Sequence, residues 1–491
     1  MHITRRSALG SAAFAAFAAG GPIETGSNRQ LFIDHRFIAE SRGIQLTVNP
    51  PLRRVPVMTP EKPWEAAHVG SYFSVVEHEG VLKMWYQSYS GKGDPRFCLA
   101  TSSDGIRWER PELGRVEFEG SKRNNIVLPR FREGAVFLDP VAEPARRFKT
   151  LAAFGGTRPS ALGTNSKGIL MLLASPDGID WREEVEVLPF FPDSQNNLFW
   201  DARTGKYAAY LRGWNPLRVV VRAEIEREGI MKPWPYRKSA TPRYLWRVFP
   251  WGGDWPPTPS TELPTVLACD ERDPEGSDIY TPNVQPYPWA ADAYFAFPSM
   301  FRHTLPKGAE KVPVAGVLEV QFAASRDGIR FERYDRRPWF AGGLPGDPDS
   351  HGAYMGLGMV RRGAEVHMFY SGTSKDHGAA GLARNAIFLA AQRLDGFVSA
   401  DAGLDGGELV TPWMRFAGES LKLNVDTGAM GTASVKLESE DGRSIESERI
   451  IANEVDHAVR WRTGSPGEFR GKPARLRFSM RRARLFAFQF A

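Results

Sequence analysis

The sequence predicts an all-β fold: a five-bladed β-propeller over residues 28–404, followed by a small β-sandwich over 405–491. The first observation behind this is a recurring phrase. It reads Ser102-Ser103-Asp104-Gly105-Ile106-Arg107-Trp108, then Ser175-Pro176-Asp177-Gly178-Ile179-Asp180-Trp181, then Ser325-Arg326-Asp327-Gly328-Ile329-Arg330-Phe331. A weaker copy stands at Arg393-Leu394-Asp395-Gly396-Phe397. The aspartates lie 73 (177−104), 150 (327−177) and 68 (395−327) residues apart, a period near 70 with one double step. Strand-rich units at such a period are the mark of a propeller. The second observation is composition: aromatics at 12%, with 48 Gly and 37 Pro, suit a turn-dense β protein better than a helical one.

Each unit opens with a strand, a tight turn and a second strand. Blade one has Ser71–Val76, a turn at Glu77–Gly80, and Val81–Tyr86. Blade two has Ala135–Leu138 and Arg147–Leu151, and blade three has Asn197–Trp200 and Tyr207–Leu211 around Asp201–Gly205. Blade four has Val284–Tyr287 and Tyr294–Phe297, and blade five has Tyr354–Val360 and Val366–Tyr370. Alternation bounded by Gly, Pro and Asp is the hairpin signal throughout. The repeated aspartates read as turn residues, with Asp and Ser bonding backbone donors, Gly supplying positive φ and the aromatic plugging between sheets. After Leu404 the repeat stops. Ser420–Val425 and Ala474–Met480 alternate as sandwich strands.

Residues 1–22 read as an export leader. Thr4-Arg5-Arg6-Ser7-Ala8-Leu9-Gly10 precedes a short alanine-rich apolar run, and the paired arginines point to the twin-arginine route and a periplasmic or extracellular destination. No segment approaches the roughly 18 apolar residues of a membrane span. Cys98 and Cys269 stand 171 residues apart, and the sequence leaves open whether they pair or stay as thiols. The net charge of +6 is modest and dispersed, which argues against a nucleic-acid partner. The stretch Trp234–Ser277, with Trp246, Trp251 and Trp255, is too long for a turn. It reads equally as the wall of a cleft or as packing over a blade edge.

A propeller brings the segments leading into its innermost strands to one central funnel, so function is sought there. Those segments carry Glu65 and His68 in blade one, and Asp193, Gln195, Asn196 and Asn197 in blade three. Blade four carries Asp278, Tyr280 and Thr281; blade five carries Asp349, His351 and Tyr354; blade two shows no strong carboxylate. Crowded carboxylates drive their pKa values apart, which supplies the acid and the base that glycoside hydrolysis needs. Glu65, Asp193 and Asp278 are therefore the catalytic candidates, with Asp278 or Glu65 as proton donor and Asp193 as the orienting or charge-stabilising group. Candidate substrate contacts are His68, Asn196, Arg212, Arg222, Tyr280, Asp349 and His351. The two arginines are placed to hold a carboxylate or sulfate, or else to form structural ion pairs. His303, His351, His367 and His377 lack ligand spacing, so no metal is expected. No nucleophile elbow, phosphate loop or dinucleotide fingerprint occurs, so no cofactor is expected either.

The opening Gln30-Leu31-Phe32-Ile33-Asp34, the Pro63-Trp64-Glu65 step, the Ser-x-Asp-Gly phrases and Arg393-Leu394-Asp395-Gly396-Phe397-Val398-Ser399 resemble exported bacterial proteins described as glycosyl hydrolase family 32/43-like. The resemblance spans nearly everything after the leader. It implies a five-bladed propeller whose active site draws an acid trio from successive blades. The chain departs from the better-known families in having Glu65 where they place an Asp, and Asp193 and Asp278 where they place a Glu as general acid. Two functions are carried forward: a glycoside hydrolase acting on an oligo- or polysaccharide, and a non-catalytic carbohydrate-binding propeller.

Overall fold

A computed structural model describes residues 21–93, 95–131, 133–155, 160–162, 168–215, 217–236, 262–303, 316–377 and 383–491. Residues 1–20 of the expected leader, and Trp246, Trp251 and Trp255, lie outside them. The described chain forms two compact units, residues 47–398 and residues 21–46 with 399–491.

The larger unit is the propeller. Blade one is the four-stranded antiparallel meander His68–His78, Val81–Tyr89, Arg96–Ser102 and Ile126–Leu128. Blade two runs Phe137–Leu138, Phe148–Gly155, Gly168–Ser175 and Arg182–Leu188, and blade three Asn197–Asp201, Lys206–Trp214, Arg218–Glu226 and Thr265–Leu267. Blade four is split into two three-stranded sheets, Ser277–Thr281 with Ser299–His303 and Gly316–Val320, and Val284–Pro286 with Tyr294–Ala296 and Ala323–Ser325. Pro282 and Pro298 sit at two of the three breaks, where the missing N–H interrupts the ladder. This is why the sequence pattern shows only the Val284–Phe297 half as strands. Blade five joins Gly352–Met355, Val360–Arg362, Glu365–Thr373 and Asn385–Arg393 to Arg53–Met58. The first strand of the unit thus completes its last sheet and closes the ring.

The recurring phrase is built as a turn. Asp104 Oδ1 accepts from the N–H of Ile106 and of Arg107, both at 2.8 Å, and Ser102 Oγ accepts from Gly105 at 2.8 Å. The Arg107 and Ile106 N–H groups hold the Asp104 carboxyl well below the usual range. Asp177 and Asp327 repeat these bonds. Each later turn is gripped by an aromatic of the preceding blade. Trp85 Nε1 donates to Gly178 O at 2.6 Å and Tyr210 Oη to Gly328 O at 2.7 Å, and Tyr287 Oη donates to Asp395 Oδ1 at 2.7 Å. The Cys98 and Cys269 thiols are both free.

The smaller unit packs a seven-stranded sheet, which includes Gly407–Val410, Thr432–Ser439 and Ala474–Arg481, against a six-stranded one built on Leu421–Asp426 and Ala483–Phe490. Leu423, Leu437, Phe478 and Phe488 lie in its core, and the rings of Phe416 and Phe490 stack at 3.6 Å. The boundaries differ from the 28–404 and 405–491 expected from the repeat. Gln30–Leu31 pairs with Ala487–Phe488, and Phe32 is fully buried in this core. The N-terminal apolar run therefore belongs to the unit that carries the C-terminus.

These clasps predict a graded response to adding one methyl group. Gly205 has φ +68 with open space around it, so Gly205→Ala should cost about 1 kcal/mol from backbone strain alone. Gly178 has φ +80 and its new Cβ would strike the Trp85 indole, so Gly178→Ala should cost about 3 kcal/mol. Urea unfolding of both variants would show it, and equal losses would dismiss the clasp.

Candidate functional site

The inner ends of the blades place one polar group after another around a common centre. Tyr72 comes from blade one, at a bulge where the ladder jumps from Gly70 to Phe73. Tyr280 comes from blade four at a second bulge, between Ile279 and Thr281. A bulge turns a side chain out of strand alternation, here in both cases onto a neighbouring blade's tyrosine. Glu133 and Asp193 precede the inner strands of blades two and three with φ of +70 and +62, in the left-handed region that non-glycine residues rarely occupy. Asn196 locks this pair of turns: its side-chain N–H₂ donates to Glu133 O and to Asp193 O, each at 3.0 Å, and its backbone N–H donates to Glu133 O at 2.8 Å.

Arg212 is the hub. Its guanidinium is ion-paired with Asp193, bonds Ser194 Oγ, donates through Nε to Tyr280 O at 3.0 Å, and lies 4.3 Å from the centre of the Tyr280 ring. Beside it, Arg218 Nη1 donates to Asp278 Oδ2 at 2.9 Å while its guanidinium packs 5.1 Å from the Tyr280 ring. His303 Nε2 lies 3.2 Å from the same Asp278 oxygen. His377 stands between two phenols, Nε2 at 3.1 Å from Tyr280 Oη and Nδ1 at 2.9 Å from Tyr354 Oη. Tyr72 Oη donates to Tyr280 Oη at 3.4 Å, completing a chain through blades one, four and five.

Burial sets the protonation of these groups. It pushes the phenols of Tyr72 and Tyr354 well above their ordinary value, and that of Tyr280 up as well, so all three are neutral hydrogen-bond donors. Burial, with the nearby Arg218 and Arg212 cations, lowers His377 to about 4. A neutral imidazole has one N–H and one lone pair, so one flanking phenol must donate to it. For Asp278, burial acts upward, but the Arg218 guanidinium and His303 outweigh it and hold the carboxyl below its ordinary value.

Of the residues read from the sequence, the structure brings together Asp193, Asn196, Arg212 and Tyr280, with Asp278 bonded to Arg218 at their edge. Glu65 is not among them. It is fully buried, and its oxygens accept from Tyr86 Oη at 2.6 Å, Arg110 Nε at 2.8 Å, and the N–H groups of Glu61 and Lys62 at 3.0 and 3.2 Å. A carboxylate used up by four donors braces the turn at Pro63–Glu65 and has no capacity left for proton donation. Asp278, charge-paired and held ionised, does not fit that role either. Asp349 is held by Arg54 at 2.9 Å and Tyr370 at 2.7 Å inside blade five. Arg222 pairs with Glu224 at 3.0 Å and faces Asp201 at 3.9 Å, the structural alternative. His68 bonds Ser71 Oγ at 2.6 Å and Asn385, which fixes the bulge beside Tyr72. His351 bonds its neighbour Ser350 at 2.9 Å. Of the other histidines, His367 pairs with Glu365, while His303 and His377 join the funnel.

The sequence reading missed Glu133, Tyr72, Arg218 and the roles of His303 and His377. Glu133 left a signal: it stands directly before Gly134 and the blade-two strand, the position that supplies Asp193 one blade later. Tyr72 left none, since it reads as an ordinary strand residue until the bulge turns it.

No family model matches the chain, and no curated protein does. Among solved structures, the chain is similar to one titled glycoside hydrolase, at 14% identity and a TM-score of 0.44, covering 71% of this chain and 93% of that one. It is also similar to an N-acetylgalactosamine deacetylase from F. plautii in complex with blood group B trisaccharide (12% identity, TM-score 0.44, 70% and 95% covered). A third similarity is to a GH32 beta-fructofuranosidase of Bombyx mori (10% identity, TM-score 0.39, 90% and 94% covered). At such distances the functional reading rests on the side chains of this chain.

His377 and His68, each lowered by burial to about 4, predict an acid-labile fold. Between the unfolded value near 6.5 and about 4, the unfolded chain takes up protons that the folded one refuses. Stability is therefore complete above pH 6.5 and is lost as pH falls through this window, by up to about 1.4 kcal/mol per unit for each group. His377→Gln should remove one share of that slope in urea unfolding measured from pH 7 to 4; an unchanged slope would contradict the assignment.

Proposed function

We propose that the funnel is the active site of an exported glycoside hydrolase that cleaves a glycosidic bond in an oligo- or polysaccharide, with Glu133 and Asp193 as its working carboxylates. The observation that carries this is the pinning of two acids from successive blades by one side chain, Asn196, beside a cationic hub. Glycoside hydrolysis needs an acid for the leaving oxygen and a second carboxylate for the other side of the bond. Asp193, charge-paired with Arg212, suits the carboxylate that acts as base or nucleophile. Glu133, lodged beside the neutral phenol of Tyr72, suits the proton donor. Tyr72, Tyr280 and Tyr354 offer apolar faces and hydroxyls to a sugar, and neutral His377 orders the last two. Asp278 acts through Arg218 as a positioning residue. The paired arginines at Arg5-Arg6 support export by the twin-arginine route to the periplasm or beyond.

Purified protein should release reducing sugar from some member of a panel of furanose- and pyranose-linked glycans. On that substrate, Glu133→Gln and Asp193→Asn should each lower kcat by roughly 10²- to 10⁴-fold, with binding of the intact glycan kept within a few-fold. Glu65→Gln should instead cost about 3 kcal/mol or more of stability, with kcat of the folded fraction near that of the parent. Binding without any turnover across the panel would leave a carbohydrate-binding propeller; full turnover by Glu133→Gln would remove Glu133 from the chemistry.

A further inference from the structure

The smaller unit carries a hollow of about 780 Å³ on its seven-stranded sheet, which the reading of the funnel does not use. Two serines and three glycines lie in its lining. Ser479 pairs across the ladder with Ser434 on one side and Glu408 on the other, and Glu408 pairs with Arg42, so four residues form one cross-strand row. At about 4.8 Å per strand, the row spans roughly 14 Å. Gly43, Gly406 and Gly407 open one end, where backbones meet so closely that a Cβ on Gly43 would lie 2.6 Å from Gly406 O. The depression exists because these positions carry almost no side chain.

The rim is cationic. Arg42, Arg449, Arg462 and Arg481 line the hollow against Glu408 and Asp405 alone. The Arg42–Glu408 pair is loose at 3.7 Å, and Arg462 reaches its partner Glu446 only at 4.0 Å. Arg449 and Arg481 have no carboxylate partner among the described residues; Arg481 Nε donates to Leu404 O at 2.8 Å. No aromatic lines the hollow, so it offers no stacking face for a neutral sugar. Guanidinium groups pair bidentately with carboxylates and sulfates, and the hydroxyls of Ser434 and Ser479 serve sugar hydroxyls.

We propose that this face is an accessory binding site for an oxyanion-bearing polysaccharide, one whose sugars carry carboxylates or sulfate esters, held by Arg449 and Arg481 across the serine floor. A row of this length suits an extended chain rather than a lone anion. The inference rests on the reading of the protein as carbohydrate-active, and it assigns the chemical class of polymer that the funnel would meet: an acidic one.

The test uses the full chain in affinity electrophoresis and calorimetry against polygalacturonate, dextran sulfate and unmodified dextran. Polygalacturonate isolates carboxylate recognition, and the dextran pair isolates sulfate. The expected result is retention by one or both acidic polymers and none by dextran, with Arg449→Ala/Arg481→Ala weakening it on the order of tenfold. Lys92→Ala/Lys122→Ala removes two exposed cations elsewhere and should leave affinity within about twofold, separating a site from the general attraction of a basic protein for polyanions. Glu133→Gln should retain full binding. Equal weakening by the two double variants, or no retention by either acidic polymer, would overturn the site while leaving the funnel to be judged by turnover. Loss of binding in Glu133→Gln with Arg449→Ala/Arg481→Ala intact would overturn it too, because the polymer would then be held in the funnel.

Discussion

The ring must be closed at its centre, and that constraint shapes everything near the axis. The blades meeting there leave inner-strand edges whose backbone groups cannot all find a ladder partner, and each buried group left unmet costs about 1–3 kcal/mol. Side-chain amides and hydroxyls supply the partners. Ser74 Oγ accepts from Val136 N–H, joining blades one and two, and Asn196 donates to Glu133 O, joining two and three. Asn197 accepts from Val284 N–H, Asn283 donates to Met355 O, and Gln285 accepts from Gly358 N–H, carrying the seam through blade four to blade five. Leu357 then bridges backbone to backbone with Phe73 and Val75 of blade one. The site is a by-product of this seam, since the residues that close it also hold Glu133 and Asp193 in their left-handed turns.

With the seam fixed, electrostatics decides what each buried group can do. The two guanidinium groups of the funnel are buried, and full charge is tolerable there only in pairs. Arg212 takes Asp193, and Arg218 takes Asp278 with His303 behind it. The remaining groups, Tyr72, Tyr280, Tyr354 and His377, stay neutral and join by hydrogen bonds. The funnel therefore combines neutral hydrogen-bond donors with charge-balanced pairs.

The most conspicuous motif in the chain and the polar cluster of the funnel share no residue. The Asp-Gly turns repeat because three junctions between blades use the same clasp: a carbonyl or carboxylate that the preceding blade's Trp85, Tyr210 or Tyr287 grips. Repetition is the signature of a shared packing task. The funnel residues differ in type from blade to blade, and among them only Glu133 and Asp193, each just before an inner strand with a positive φ, hold corresponding places.

Local pattern sufficed for the blades, hairpins, repeated turns and sandwich strands, because alternation and turn chemistry depend on neighbours a few residues away. It also picked out Asp193, Asn196, Arg212 and Tyr280, whose place just before or within inner strands follows from the period. Tertiary structure alone decided the rest. Glu65 and Asp278 look as reactive as Asp193 in the sequence, but Tyr86 and Arg110 reach Glu65 from other segments and bond its Oε1, while Arg218 and His303 converge on Oδ2 of Asp278 and hold it ionised. Tyr72 enters the funnel only because a bulge turns it there, and the run at Gln30–Ile33 joins the C-terminal unit because its partner strand is more than 450 residues away. Which carboxylate remains available for chemistry depends on which donors arrive beside it, and contacts between distant segments leave no trace in local periodicity.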